Sequence, residues 1–439
     1  MQQRILTSEL AAHVGQRVQL KGWLHKLRAH GEVNFLVLRD RKGLAQAVMS
    51  PQELEPLHGI LAESIIEISG LVVAESQAPS GYELHEVEVT VINAVTEPTP
   101  LELNKKHIKS SLPTFLTHAV IGHRHVYHRA VLKVSAGVMQ AFRAILTEQD
   151  FTEVQTPKLV GSATEGGAEV YAVEHFGQMA YLAQSPQFYK QIMVGIFERV
   201  FEVGPVFRAE KHATTRHTNE YVSLDVEFGF IENHFTVMEM VTKVVGGILR
   251  HLQACYADEL GLLEVVMPSA VVDEQTRAFP YINFREAQQL VTERYGVTDA
   301  IGAPDLTPEH ERLLGQWAKE TYGSDFLFVV GYPMVKRPFY THPNPSDPTV
   351  SNSFDLLFRG TELITGGQRL HQYVDYLAAA ERFGYDPEKF TSYFEAFKYG
   401  MPPHGGFAIG LERFVMQLIQ LDNIRWASLF PRDIHRLTP

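Results

Sequence analysis

The stretch from Val200 to Phe230 carries the pattern that most constrains this chain. Val222, Leu224, Val226, Phe228 and Phe230 alternate with Ser223, Asp225 and Glu227, the period-two signature of a strand with one buried face. Val200 to Glu210 reads as a preceding strand and Lys211 to Asn219 as a long polar loop, so the whole is a strand-loop-strand hairpin. The first strand ends at Arg208 and the loop carries Arg216 and His217. Three cations around a long loop suit a polyphosphate, whose charge must be matched before a phosphoryl oxygen is attacked. Taken alone, an ordinary hairpin with exposed basic residues explains the same pattern.

The chain has 439 residues, more than one hydrophobic core usually supports, so at least two domains are expected. Short strands are predicted at Val18–Trp23, Asn34–Asp40, Ala45–Met49, Ile65–Val73 and Glu86–Ile92. They suggest a small barrel of OB type, although an SH3-like barrel fits the pattern as well. Thr96 to Pro100, followed by Lys105, Lys106 and Lys109, reads as a proline-stiffened basic hinge. Beyond it, an amphipathic helix over Val131–Thr147 leads to a strand ending at Thr156–Pro157. Helical segments at about 235–260, 284–296, 307–322 and 376–400 mix with extended apolar runs such as Phe326–Gly331 and Ser353–Phe358. The fold class is therefore α+β, an antiparallel sheet flanked by helices. Boundaries are set at 1–97 for the barrel, 98–129 for the hinge and 130–439 for the large domain.

A net charge of −12 argues against indiscriminate nucleic-acid binding. Residues 1–42 nevertheless hold eight Lys/Arg against three acids, whereas residues 43–100 hold no Lys or Arg, so a confined basic face fits a local RNA contact. No signal-peptide core and no membrane-spanning run is read, and the expectation is a cytoplasmic protein without membrane association. Cys255 is the single cysteine; it is read as a buried structural thiol. His118, His123, His125 and His128 match no common zinc spacing and are read as surface or hinge residues.

Gln184-Ser-Pro-Gln-Phe-Tyr-Lys190 and Gly366-Gly-Gln-Arg369 each supply a cation. A lysine point charge and a two-pronged guanidinium would hold a small carboxylate and reject its neutral amide, which points to an acid substrate. Asp355 and Glu362 flank Arg359-Gly360, and a turn there could bring two hard oxygen donors of the kind that suits magnesium to one hairpin end, although a pair of acids at that spacing is usually surface decoration. Neither a Walker A loop nor GxGxxG is present.

Together with Phe207-Arg-Ala-Glu210 and Gly406-Phe-Ala-Ile-Gly-Leu-Glu-Arg413, these segments resemble class II aminoacyl-tRNA synthetases of class IIb, specifically archaeal-type aspartyl enzymes. The resemblance implies an OB-fold anticodon-binding domain before a catalytic domain that is dimeric, using ATP and Mg2+. It implies ATP contacts from Arg208, Ala209, Glu210, Arg216, His217, Thr218, Tyr221, Glu362, Gly410, Leu411, Glu412 and Arg413, with Arg208, Glu362 and Arg413 as catalytic residues. Ala408 stands where the family often has glycine. By the same resemblance Glu165, Ser185, Gln187, Lys190, Arg208, Asp225, Thr365 and Arg369 hold aspartate, and Asp355, Glu362 and Thr365 hold the metal. Ser162 to Gly167 is similar to the loop that closes over aspartate.

The anticodon is expected at His25, Arg28, Phe35, Gln46 and Pro79. Members restricted to tRNA-Asp typically carry tryptophan and lysine where this chain has His25 and Pro79. The resemblance therefore implies the non-discriminating form, which also aspartylates tRNA-Asn and feeds an amidotransferase that converts Asp-tRNA-Asn to Asn-tRNA-Asn. Alternatives are a discriminating aspartyl enzyme, an asparaginyl enzyme, a ligase of the asparagine synthetase A type and a non-catalytic RNA-binding paralogue.

Overall fold

In a computed structural model, residues 4–29, 33–161, 169–211 and 214–439 are described. The chain forms two compact units, Met1–Tyr127 and His128–Pro439.

The first unit is a closed five-stranded barrel, ordered β1 (Arg17–Ala29), β2 (Asn34–Arg39), β3 (Leu44–Met49), β5 (Tyr82–Asn93), β4 (Ile65–Ala74). β1 pairs with both β2 and β4, and β3 runs parallel to β5, the connectivity of an OB-fold. Alternate residues Leu20, Leu36, Leu38, Ile66, Ile68 and Leu84 fill the barrel and are fully buried. β1 and β5 extend beyond the apolar runs that announced them, because their outer halves pair while presenting charged side chains. A bulge interrupts β1 between Leu24 and Lys26. After the barrel, the buried His125 ring bonds the Lys105 carbonyl through Nε2 at 2.9 Å, so this histidine is an internal support of the connecting segment and not a surface group.

The second unit is built on an eight-stranded sheet. Its order is β12 (Tyr281–Asn283), β13 (Phe326–Val330), β14 (Ser353–Phe358), β15 (Thr361–Gln368), β16 (His404–Gly410), β11 (Glu220–Gly229), β10 (Arg199–Phe207) and β6 (Thr152–Glu153). All neighbours are antiparallel except the two outer pairs, β12–β13 and β10–β6. A separate three-stranded sheet comprises β7 (Leu159–Val160), β9 (Gln178–Leu182) and β8 (Ala172–His175). The helix Val126–Thr147 is long and apolar enough to cross a membrane by composition, yet its stripe from Val131 through Val138 to Leu146 is core, with Phe142 edge-on to Phe201. The segment read as one helix over 376–400 divides into Tyr373–Phe383 and Thr391–Lys398, because Gly384 takes a left-handed φ of 70° and Pro387 follows. Cys255 is exposed: it ends the helix His234–Cys255 past its last buried residue, Leu252.

β11 lies between β16 and β10, and the helices Gln187–Phe197 and Leu411–Ile419 pack against it, so the face expected to meet solvent is covered too. Asp225 and Glu227 are 1% and 0% exposed. Buried carboxylates require partners, and those partners define the site.

Candidate active site

Glu227 is held by Arg369 Nε at 3.0 Å and lies 3.3 Å from Lys190 Nζ. These two cations hold its carboxyl below the usual range despite burial, which pushes it up. Lys190, at 1% exposure on the helix Gln187–Phe197, donates to Asp225 Oδ1 at 3.1 Å and to the carbonyls of Val226 and Phe407 at 3.4 Å. An ammonium has three donors, and all three are committed. Lys190 therefore places its charge beneath the pocket, with one firm partner in Asp225 and two long contacts to carbonyls.

Arg369 differs. Its Nη2 donates to Gly406 O at 3.1 Å and Gln187 Oε1 at 3.5 Å, while Nη1 makes no hydrogen bond among the described residues. Glycines permit the approach: a Cβ on Gly406 would lie 2.1 Å from Val226 O, and one on Gly366 2.5 Å from the Phe354 ring. Gln187 is turned away from its expected role, its amide donating to Gln191 and its oxygen facing Arg369. Ser185 Oγ accepts from Gln187 N, and Asp225 also takes the Ser223 hydroxyl. Behind them Gln191, Tyr376, Tyr393 and His404 form a buried hydrogen-bonded network. Burial holds His404 neutral, with its pKa lowered to about 4. Glu165 and the rest of Ser162–Gly167 lie outside the described residues.

Next to this pocket a polar cleft is lined by Arg208, Glu210, Arg216, His217, Thr218, Tyr221, Glu362, Thr365, Gly410, Glu412 and Arg413. β10, β11 and the loop between them deliver Arg208 to Tyr221, β15 delivers Glu362 and Thr365, and Gly410, Glu412 and Arg413 come from the end of β16 and the helix after it; Asn219 staples the loop by donating to the carbonyls of Arg208 (2.7 Å) and Glu210 (3.0 Å). The Arg208 guanidinium sits 5.6 Å from the centre of the Tyr221 ring. Arg413 donates to the Glu362 carbonyl at 3.0 Å and lies 3.6 Å from its carboxylate. A Cβ built on Gly410 would stand in ordinary van der Waals contact with Arg413 and Tyr221, at 3.8 and 3.9 Å, so the position lines the cleft without crowding. Two residues expected here are elsewhere: Leu411 points into the core, and Ala209 is outside the cleft, its N–H held by Glu169 O. Glu412 lines the cleft with its carboxylate committed to Val222 N, and burial raises its pKa to about 7.

Asp355 and Glu362 stand on the two strands of one hairpin, each beside Thr365. Gly360 at φ 71° and Arg359 at φ 49° close the β14–β15 hairpin, and a bulge at Leu363 puts Glu362 on the face of Thr365, whose hydroxyl lies 3.5 Å from Glu362 Oε1. Asp355 pairs across the strands with Thr365. Its Oδ2 accepts from Arg337 at 3.0 Å, while Oδ1 is buried without a hydrogen-bond partner. Two carboxylates and a hydroxyl, one oxygen unsatisfied, suit a hard cation; among the described residues no group of three His, Cys, Asp or Glu is placed to hold a metal by itself. Three neighbours carried no motif. Glu311, from the helix Pro308–Tyr322, accepts from Glu362 N at 3.1 Å and lies 3.8 Å from Arg216, and burial with Glu362 beside it raises its pKa to about 7. Arg337 stacks 4.0 Å over Tyr332, and Arg425 meets the polar loop from the chain's last segment.

On the barrel, Arg28 pairs with Phe35, and Gln46 lies opposite Val37 two residues along, so the three share an outer face. His25 is not on it. The bulge turns its ring inward beside Glu63 and the segment Pro98–Asn104, where burial and Arg39 lower its pKa to about 4. Pro79 is exposed in the β4–β5 connection.

A central antiparallel sheet whose hairpin arginines, glycine-backed strand and acid pair surround one cleft, in a chain that also carries an OB barrel, defines a class II aminoacyl-tRNA synthetase. Residues 112–434 match the family described as tRNA synthetases class II (D, K and N), and residues 18–92 match the OB-fold nucleic acid binding domain. The chain is 48% identical to the aspartate–tRNA(Asp/Asn) ligase of Deinococcus radiodurans and 47% identical to that of Thermus thermophilus, covering 99% of this chain and 99% and 100% of theirs. The asparaginyl-tRNA synthetase of Pyrococcus horikoshii in complex with asparaginyl-adenylate superposes with a TM-score of 0.90 at 31% identity, over 100% of both chains. Within its class the chain belongs to the archaeal-type aspartyl-tRNA synthetase family.

Proposed function

We propose that this enzyme activates L-aspartate with ATP and transfers it to the 3′ ends of both tRNA-Asp and tRNA-Asn. The observation that carries the amino-acid choice is Arg369, whose Nη1 stays uncommitted while Glu227 fixes the rest of its guanidinium over the Lys190 charge. A carboxylate makes a charge-assisted bond with that donor, whereas an amide oxygen makes only the weaker neutral one. No general base is needed, because the aspartate α-carboxylate is itself the nucleophile toward the α-phosphorus and pyrophosphate departs. Arg208 and Arg413 stabilise charge on the phosphates, and Arg216 with His217 meets their distal end. Asp355, Glu362 and Thr365 would hold magnesium, which when bound neutralises phosphate charge. The terminal ribose hydroxyl of the tRNA then attacks the carbonyl of the aspartyl-adenylate and takes the aspartyl group, and AMP departs. A homodimer in the cytoplasm, supplying an amidotransferase with Asp-tRNA-Asn, belongs to the same proposal.

The relaxed tRNA choice is supported by relatives called aspartate–tRNA(Asp/Asn) ligases in Deinococcus, Thermus and Aeropyrum, whereas one from Pyrococcus horikoshii, 36% identical, is called aspartate–tRNA(Asp) ligase. His25 is buried, so its influence on the third anticodon base runs through the shape of the barrel and not through a direct contact. Charging of separate tRNA-Asp and tRNA-Asn transcripts tests the reading: comparable aspartylation of both is expected, and charging of tRNA-Asp alone leaves the discriminating enzyme. Phe35→Ala is expected to lower charging of both transcripts by about 5- to 100-fold, the loss of one stacked base. ATP–pyrophosphate exchange, which needs no tRNA, should stay unchanged, and an unaffected charging rate would place the anticodon elsewhere.

A further inference from the structure

The chain's last segment folds back over the polar loop of the cleft. Ile424 N donates to Thr215 O and Asn219 N donates to Arg432 O, both at 2.8 Å, and Glu220 bridges to Arg432. Ile424 also lines the cleft. At the centre is Arg425, 9% exposed, in a short 3-10 turn over Ile424–Ala427. Its Nε donates to Asp433 Oδ2 at 2.6 Å, and its Nη1 donates to Thr214 O at 3.1 Å and Asn423 Oδ1 at 3.3 Å. One guanidinium thus ties the two ends of the segment together and grips the loop's backbone one turn before Arg216 and His217.

We propose that residues 423–433 clamp the nucleotide loop, with Arg425 as a positioning residue for ATP binding. The inference rests on the adenylate-forming reading above. A polar loop with long cationic side chains loses conformational freedom when it closes on phosphates, and a clamp that fixes its carbonyls beforehand removes part of that cost from ATP binding. The aspartate pocket is built by β11, β15, β16 and the helix Gln187–Phe197, and among the described residues the side-chain hydrogen bonds of Arg425 reach none of these elements. The clamp meets the elements of that pocket at Glu220, the first residue of β11, where Arg432 bridges to it, while Arg425 holds the nucleotide loop; its main effect is therefore on ATP.

Arg425→Ala, Arg425→Lys, Asp433→Asn and the double variant Arg425→Ala/Asp433→Asn are compared in the full-length enzyme by ATP–pyrophosphate exchange, with ATP and aspartate varied in turn. Arg425→Ala should raise the KM for ATP by about tenfold and leave the KM for aspartate within about twofold, as expected when pre-organisation of one subsite is lost. Arg425→Lys should fall between, because an ammonium cannot span both Asp433 and Thr214 as the fork does. The double variant should be no worse than Arg425→Ala, since both residues act through one ion pair. Equal changes in the two KM values, or an unchanged KM for ATP, would overturn the clamp. If Arg425→Ala fails to fold, Asp433→Asn carries the same comparison. Wild-type exchange with aspartate tests the underlying reading independently, so the two can fail separately.

Discussion

Arg369→Gln is expected to lower the kcat/KM of aspartate-dependent ATP–pyrophosphate exchange by about 10³-fold or more, the scale on which a site built to pair a buried polar group rejects a missing partner. The magnitude follows from the guanidinium's position: 6% exposed, pinned by Glu227 and Gly406, with one nitrogen left for the ligand. Glutamine keeps a planar amide and loses both the charge and the fork. The variant also strands the Glu227 carboxylate, so a loss of stability accompanies the loss of activity. Glu227→Gln together with Arg369→Gln removes that buried charge imbalance and should recover the melting temperature without recovering activity. Recovery of activity in the double variant, or a rate within tenfold of wild type for Arg369→Gln, would show that the substrate carboxylate is read elsewhere. Lys190→Ala should look different: it leaves Asp225 and Glu227 short of a counter-ion, and breaking a buried pair in this way costs about 3–5 kcal/mol of folding stability.

That contrast also shows what sequence patterns convey here. The alternation of Val222 to Phe230 located the central hairpin, and the apolar runs of the barrel located its strands, because burial of one face imposes period two. The glycines at 366, 367 and 406 mark where backbones approach too closely for a side chain. What the pattern does not reveal is how donors are allotted. QSPQFYK places Lys190 near Arg369, but only the fold shows that Asp225 and two carbonyls take its three protons. His25 went astray for a local reason, since one bulged residue turns a side chain to the other face. Glu311 and Arg425 come from a helix and a terminal segment with no motif of their own, and only tertiary contact makes them neighbours of Glu362 and Thr214.

Arg208→Gln should lower kcat for adenylate formation by about 10² to 10³-fold, the usual cost of removing one preorganised group from the charge that develops in the transition state. The KM for aspartate should change less than kcat, because Arg369 and Glu227 do not depend on this side chain although Arg208 is also expected to touch the substrate. Arg208 stands where β10 ends, its guanidinium against Tyr221 and its backbone held by Asn219 through both N–H and carbonyl. Its position is therefore fixed before ATP arrives, and no reorganisation is required as the α-phosphorus is attacked. The arginine has a second electrostatic role. Burial and Asp355 push the Glu362 carboxyl up, while Arg413, Arg337 and Arg208 oppose the rise. With Arg208 neutralised, Glu362 becomes harder to ionise, and the activity remaining in Arg208→Gln should need a higher pH to reach its plateau than the wild type does. Arg208→Lys keeps the charge and should restore the pH profile while leaving kcat well below wild type, since a point charge does not reproduce two-pronged phosphate contacts. Rapid-quench measurement of adenylate formation across pH separates the effects: a depressed rate with an unshifted profile would confine Arg208 to phosphate binding, and a kcat within fivefold of wild type would remove it from the reaction altogether.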